Sequence, residues 1–231
     1  MQYLGGKARS YKFVIEELNK HDRPKYLEPF VGGAWIASNY KHSNKTASDI
    51  DGDLIVLYEG LQNGWIPPNT VSEEEYKELK TAEPSPLKTF AKYGLSWGGK
   101  AWGGYARSGD RNYALNAKNS LLKKLPGLLN VKFEHKNYKD YQPENSLIYC
   151  DPPYSNTTKY SGASFDTEEF WKNMRVWSSS ERNNVVIISE YTAPDDFEVI
   201  ASSPRRQDIR VGKGNKEGLV VEEKLFRYRD K

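Results

Sequence analysis

Hydrophobic and polar positions alternate between two periods along this chain, and that alternation sets the expected element order. A glycine loop, Tyr3-Leu4-Gly5-Gly6-Lys7, is followed from about residue 8 to 20 by helical spacing with Phe13, Val14 and Leu18 on one face. Tyr26 to Val31 reads as a first strand, running into Gly32-Gly33-Ala34 and a short helix from Trp35 to about Tyr40. A second strand covers Lys45 to Ile50, and Asp51 then reads as the cap of a helix over residues 52–61. Ser72-Glu73-Glu74-Glu75 is a capping box that opens another helix to about Thr81. Residues 112–125 form a helical pattern expected to end at Pro126-Gly127. Strands at 131–135, 147–150 and 185–189 follow, with a helix over 167–177 between the last two. Further strands at 197–201 and 219–228 read as an antiparallel edge, and 202–218 as a polar, basic loop or ribbon. Strands alternating with helices imply a mainly parallel sheet, hence an α/β class.

Composition adds one asymmetry. The net charge is +3, yet residues 88–139 hold eleven Lys/Arg against two Asp/Glu, a local +9 that leaves the rest at −6. Within that block runs Ser96-Trp97-Gly98-Gly99-Lys100-Ala101-Trp102-Gly103-Gly104-Tyr105-Ala106-Arg107. Glycine pairs alternating with aromatics and cations suit a loop or hairpin laid on nucleic acid. Trp97, Trp102 and Tyr105 offer faces to bases, and Lys100, Arg107 and Arg111 meet phosphates or base edges. The competing reading is a glycine-rich loop folded onto the protein's own core. One cysteine (Cys150) and three histidines exclude an internal disulfide and argue against a zinc site. With no run of eighteen apolar residues and no leader pattern, the chain is expected to be soluble, cytoplasmic and without a membrane partner.

Two places carry chemistry. The apolar run Leu147-Ile148-Tyr149-Cys150 stops at Asp151-Pro152-Pro153-Tyr154. Two prolines make a stiff corner at a strand's C-terminal end, where open α/β sheets bind ligands. A carboxylate (Asp151), a free carbonyl (Pro152) and an aromatic face (Tyr154) suit a planar group bearing an amine, such as a nucleobase amino group. Earlier, the strand–glycine–helix unit around Gly32 is Rossmann-like without being G-x-G-x-x-G. Asp49 falls 17 residues after Gly32, near the offset at which an acidic residue holds a ribose.

Laid out in order, Tyr3–Lys7, Glu28-Pro29-Phe30-Val31-Gly32-Gly33, Ser48-Asp49-Ile50 and Asp151–Tyr154 resemble the Dam-like, alpha-group DNA adenine methyltransferases, in particular the orphan types of phages and prophages. The resemblance implies a Rossmann-like sheet in residues 1–65 and 130–231, and a mostly helical or loop target-recognition insertion in 66–129. It implies S-adenosylmethionine as cofactor, beside Tyr3, Lys7, Glu28, Phe30, Gly32, Gly33, Asp49, Ile50 and Asp151. Asp151, Pro152, Pro153 and Tyr154 would form the catalytic corner that holds a flipped adenine of double-stranded DNA, with no metal. A monomer or weak dimer is expected. The Trp97–Tyr105 segment departs from the recognition hairpin of the GATC-specific members, so their target site is not carried over. Cytosine 4-amino methylation on the same scaffold and a catalytically silent DNA-binding protein are the competing readings; Asp151, where the cytosine enzymes usually have Ser, favours adenine.

Overall fold

In the computed structural model, residues 1–153, 165–208 and 218–229 are described. They fall into two compact units, the first made of Met1–Tyr11 and Lys25–Tyr141, the second of Lys12–Pro24 and Gln142–Lys231. Among the described residues the class is mixed α/β, with seven strands.

The first unit holds three parallel strands in the order β3-β2-β1: β1 (Lys25–Glu28), β2 (Lys45–Asp49) and β3 (Val131–His135). Parallel strands need helical crossovers, and here these are α2 (Trp35–Asn39) after β1 and α3 (Gly52–Gln62) after β2. Asp51 caps α3 by accepting from the Asp53 amide, and Ser72 and Glu75 close the expected capping box of α4 (Glu73–Leu79). Leu54, Leu57, Tyr58 and Leu61 of α3 are buried with Phe90, Leu95 and Leu121 in one apolar core. Residues 66–129 therefore share a core with the strands that surround them in sequence.

One helix differs from expectation. The helix starting after Asn112, here α6 (Tyr113–Leu128), does not end at Pro126-Gly127 but runs through both; α5 (Pro86–Thr89) precedes it. The glycine is there for contact: a Cβ at Gly127 would lie 1.7 Å from the Ser38 carbonyl oxygen. Its own carbonyl accepts from the buried Lys45 ammonium at 2.8 Å, which also takes the Ala37 and Tyr40 carbonyls at the end of α2. A cation at two helix C-termini satisfies carbonyls that have no partner within their helices.

In the second unit, β4 (Ser146–Cys150) and β5 (Val185–Glu190) pair in parallel, with Cys150 opposite Ile188. β7 (Gly218–Tyr228) runs antiparallel to β5, and β6 (Phe197–Asp208) antiparallel to β7, giving β4-β5-β7-β6. The antiparallel edge is as predicted, and β6 extends through Pro204 into the stretch expected to be a loop or ribbon, with a bulge at Val199/Ala201 that shifts the register. α7 occupies Thr167–Trp177, as its periodicity dictates, and most of α1 (Tyr11–Leu18) also belongs to this unit.

Candidate cofactor cradle and aromatic loop

Strand ends in the first unit are tied together by the Asp49 carboxylate. The Gly32 amide donates to Asp49 Oδ2 at 2.9 Å and the Asp51 amide to Asp49 Oδ1 at 3.0 Å. Val31 donates to the Ser48 carbonyl at 2.9 Å, so the turn after β1 is stitched to the end of β2 by backbone as well. Burial is the main cause that lifts the Asp49 carboxyl from 3.8 to about 6, against the lowering effect of the amides that it accepts.

Gly32 sits at φ +43°, and a Cβ there would fall 2.8 Å from Tyr3 Cε1. Tyr3 is thus laid against the glycine turn, and Gly33 also abuts it, a Cβ at Gly33 meeting Tyr3 Cβ at 3.2 Å. The Gly32 carbonyl accepts from the Tyr58 hydroxyl, and the Gly33 carbonyl from Lys124. Three separate sequence motifs, at Tyr3, Gly32-Gly33 and Asp49, therefore meet at one place. Of the other cofactor candidates, Phe30 packs on the Tyr138 ring at 5.1 Å, Glu28 is buried and accepts from the Tyr26 hydroxyl at 3.0 Å, and Lys7 is buried. Ile50 is exposed beside Asp49.

Sequence pattern did not single out three side chains of this region. Lys92 places its ammonium 2.8 Å from both Asp51 Oδ2 and Asp53 Oδ2, and Tyr93 donates its hydroxyl to Asp51 while its ring lies 5.0 Å from Tyr3. Lys124, on α6, rests over the Trp35 ring at 3.9 Å, and burial lowers its pKa from 10.5 to about 7. The one signal available was Asp51-x-Asp53 in a single helical turn, two carboxylates that call for a cation.

The aromatic–glycine segment forms a tight loop closed by an antiparallel bridge between Ser96 and Tyr105, with positive φ at Gly98 and Gly99. Trp97 is 52% exposed, edge-on to Tyr113 at 6.3 Å, and Lys100 is exposed. Trp102 and Tyr105 instead face inward onto Tyr76, at 5.1 and 5.5 Å, and the Tyr105 hydroxyl donates to the Val71 carbonyl at 2.6 Å. Arg107 pairs with Glu73, and Arg111 lies over the Tyr113 ring at 4.8 Å. Leu4 donates its amide to the Gly99 carbonyl at 3.2 Å, so this loop is bonded to the N-terminal motif.

In the second unit, β4 is buried at every residue and delivers Asp151 directly past its end, followed by buried Pro152 and by Pro153. Tyr154 lies outside the described residues. Among the described residues no group of three or more His, Cys, Asp or Glu could hold a metal, and no helix is long and apolar enough to cross a membrane.

Residues 3–92 match the profile of the D12 class N6 adenine-specific DNA methyltransferases, a span that contains the Tyr3, Gly32-Gly33 and Asp49 motifs. That match spans less than half of the 231 residues and supports adenine-specific DNA methylation as the activity of this chain. The enzyme is 21% identical, over 81% of each chain, to the Type II methyltransferase M.CviBI of Paramecium bursaria Chlorella virus NC1A. Two structures of the rRNA methyltransferase aviRa from Streptomyces viridochromogenes align with 93% of this chain and 83% of theirs, at 14 and 11% identity and TM-scores of 0.40 and 0.41.

Proposed function

We propose that the methyl donor is S-adenosylmethionine, held in the first unit, and that the acceptor is an adenine extruded from double-stranded DNA and held at the Asp151 corner. The observation that supports the donor is the meeting of Tyr3, Gly32 and Asp49. The turn at Gly32 has no side chain to block a ligand's approach. Asp49 has given two amides one contact per oxygen, and a carboxylate has about four acceptor positions, which leaves capacity for ribose hydroxyls. The residues fit the cofactor. Tyr3, Lys7, Glu28, Phe30, Gly32, Gly33, Asp49 and Ile50 are its proposed contacts in the first unit. Bound there, it supplies a methyl group on a positively charged sulfur, open to in-line attack.

The remaining chemistry belongs to this chain. A base within a duplex cannot reach the site, so it is flipped, at a cost of a few kcal/mol. Asp151 and the Pro152 carbonyl accept the two amino hydrogens of adenine, Pro153 stiffens the corner and Tyr154 stacks on the base. Two acceptors favour a more tetrahedral nitrogen whose lone pair is no longer conjugated into the ring, and Asp151 stabilises the positive charge that develops there. Residues 66–129 act as the target-recognition insertion. Within it Trp97, Lys100, Arg107 and Arg111 contact DNA, while Trp102 and Tyr105 take part by shaping the loop from beneath.

The test is mass spectrometry of nucleosides from unmethylated duplex DNA incubated with the enzyme and S-adenosylmethionine. The expected result is 6-methyladenine, lost in Asp151→Ala while calorimetric cofactor binding persists. A 4-methylcytosine product would overturn the base assignment, and cofactor binding without any modified base would leave a silent DNA-binding protein.

A further inference from the structure

A cavity of about 470 Å³, whose lining does not include Asp49, opens on the first unit, in the size range of small-ligand sites. Gln2, Trp35, Arg111, Tyr113, Asn116 and Ser120 are the side chains that give it chemical character. Of the proposed cofactor contacts only Tyr3 lines it, with Gly6 of the same N-terminal motif; Lys7, Phe30 and Asp49 do not. Its rim includes Gly98, next to the exposed Trp97.

The polar lining is uncommitted. Among the described residues, the side chains of Gln2, Arg111, Asn116 and Ser120 make no hydrogen bond within the protein, and Arg111 is held only by its stacking over Tyr113. Asn116 and Ser120 stand one turn apart on α6, so both present to the same side. Two primary amides, a guanidinium and a hydroxyl between aromatic walls form a set with a known complement. Amides pair with the N6 and N7 of adenine, and a guanidinium pairs with the O6 and N7 of guanine, each in a two-pronged contact. The surrounding segment, residues 88–139, carries the +9 charge balance that draws a polyanion.

We propose that this cavity reads a purine edge in the DNA flanking the target adenine, with Gln2, Arg111 and Asn116 as specificity-determining residues. The proposal rests on the DNA-methylating reading above and adds where sequence is discriminated. Trp97 and Lys100 then position the duplex, and the cavity supplies the choice of base.

Two measurements separate the possibilities. Unmethylated plasmid DNA is treated with wild type, Asn116→Ala and Arg111→Met, and methylated positions are mapped by long-read sequencing. Each variant is expected to relax the consensus at one flanking position, with discrimination there falling roughly ten- to hundredfold, while calorimetric S-adenosylmethionine binding is unchanged. An unaltered consensus in both variants overturns the proposal, and so does weakened cofactor binding, which would give the cavity to the cofactor. If wild type methylates nothing, the functional reading fails by itself. Fluorescence anisotropy on a panel of duplexes then decides the cavity: the variants must narrow the wild-type spread of affinities, and an equal spread overturns it.

Discussion

The Gly32 amide and the Asp49 carboxylate, 2.9 Å apart, join the end of β1 to the end of β2 across 17 residues of sequence. That bond holds Gly32 at φ +43° under the Tyr3 ring, where no Cβ fits. Gly32→Ala is expected to lower S-adenosylmethionine affinity about tenfold or more and to destabilise the fold by about 1–3 kcal/mol, from left-handed strain and the clash together. Calorimetry and urea denaturation read the two effects.

Asp49 also sets a pH dependence. Its folded pKa of about 6 lies above the ordinary 3.8, so the folded protein keeps a proton that the unfolded chain releases between about pH 4 and 6. Stability therefore falls as pH rises through that window, by at most about 1.4 kcal/mol per pH unit, and levels off above pH 6. Cofactor affinity runs the other way. The ionised form has the acceptors a ribose needs, so affinity is full above pH 6 and declines below it. Asp49→Asn should bind weakly with no inflection near pH 6; an inflection retained in that variant would move the titrating group elsewhere.

Trp97 and Trp102 are five residues apart and are expected to separate binding from folding. Trp97 is half exposed, so Trp97→Ala should leave stability within about 0.5 kcal/mol while raising the KM for DNA. Trp102 packs on the core through Tyr76, and Trp102→Ala should lower stability by about 3 kcal/mol. Thermal melts and steady-state kinetics on both variants make the comparison.

Lys124 is a buried cation of the site. Burial depresses its pKa from 10.5 to about 7, so between those values the unfolded chain holds the proton more tightly and stability rises with pH. The penalty for burying the charge is fully present below pH 7. Lys124→Met should remove the rise between pH 7 and 10, while loosening the Gly33 carbonyl that the ammonium holds. Denaturation curves at three pH values across that interval are sufficient.

Much of this was legible in the chain because local rules decided it. Asp51 and Ser72 cap where a short polar side chain precedes an apolar run, and α7 matches its 3.6-residue period over its whole length. Pro126-Gly127 misled because a local stop signal was outweighed by a tertiary contact, the packing of Gly127 on Ser38. Asp49 was found by its offset from Gly32, but its work as a clamp on two amides was not, since hydrogen bonding between turns has no periodicity. Lys92, Tyr93 and Lys124 lie 39 or more residues from the partners they hold, and only folding brings them there. In the aromatic loop, composition indicated DNA contact for three aromatics alike; burial distinguishes Trp97 from Trp102 and Tyr105, and composition carries no information about which way a ring turns.

The bond from Leu4 to Gly99 bears on how such an enzyme could acquire a new target. The glycine at 99 lies against the backbone of Gln2 and Tyr3 so closely that a Cβ there would fall 2.6 Å from the Tyr3 nitrogen. A loop grafted from a relative would have to reproduce that seam or displace Tyr3 from Gly32. The proposed recognition insertion, residues 66–129, is thus no interchangeable cassette, and retargeting should proceed by single substitutions around the seam and not by exchanging the whole segment.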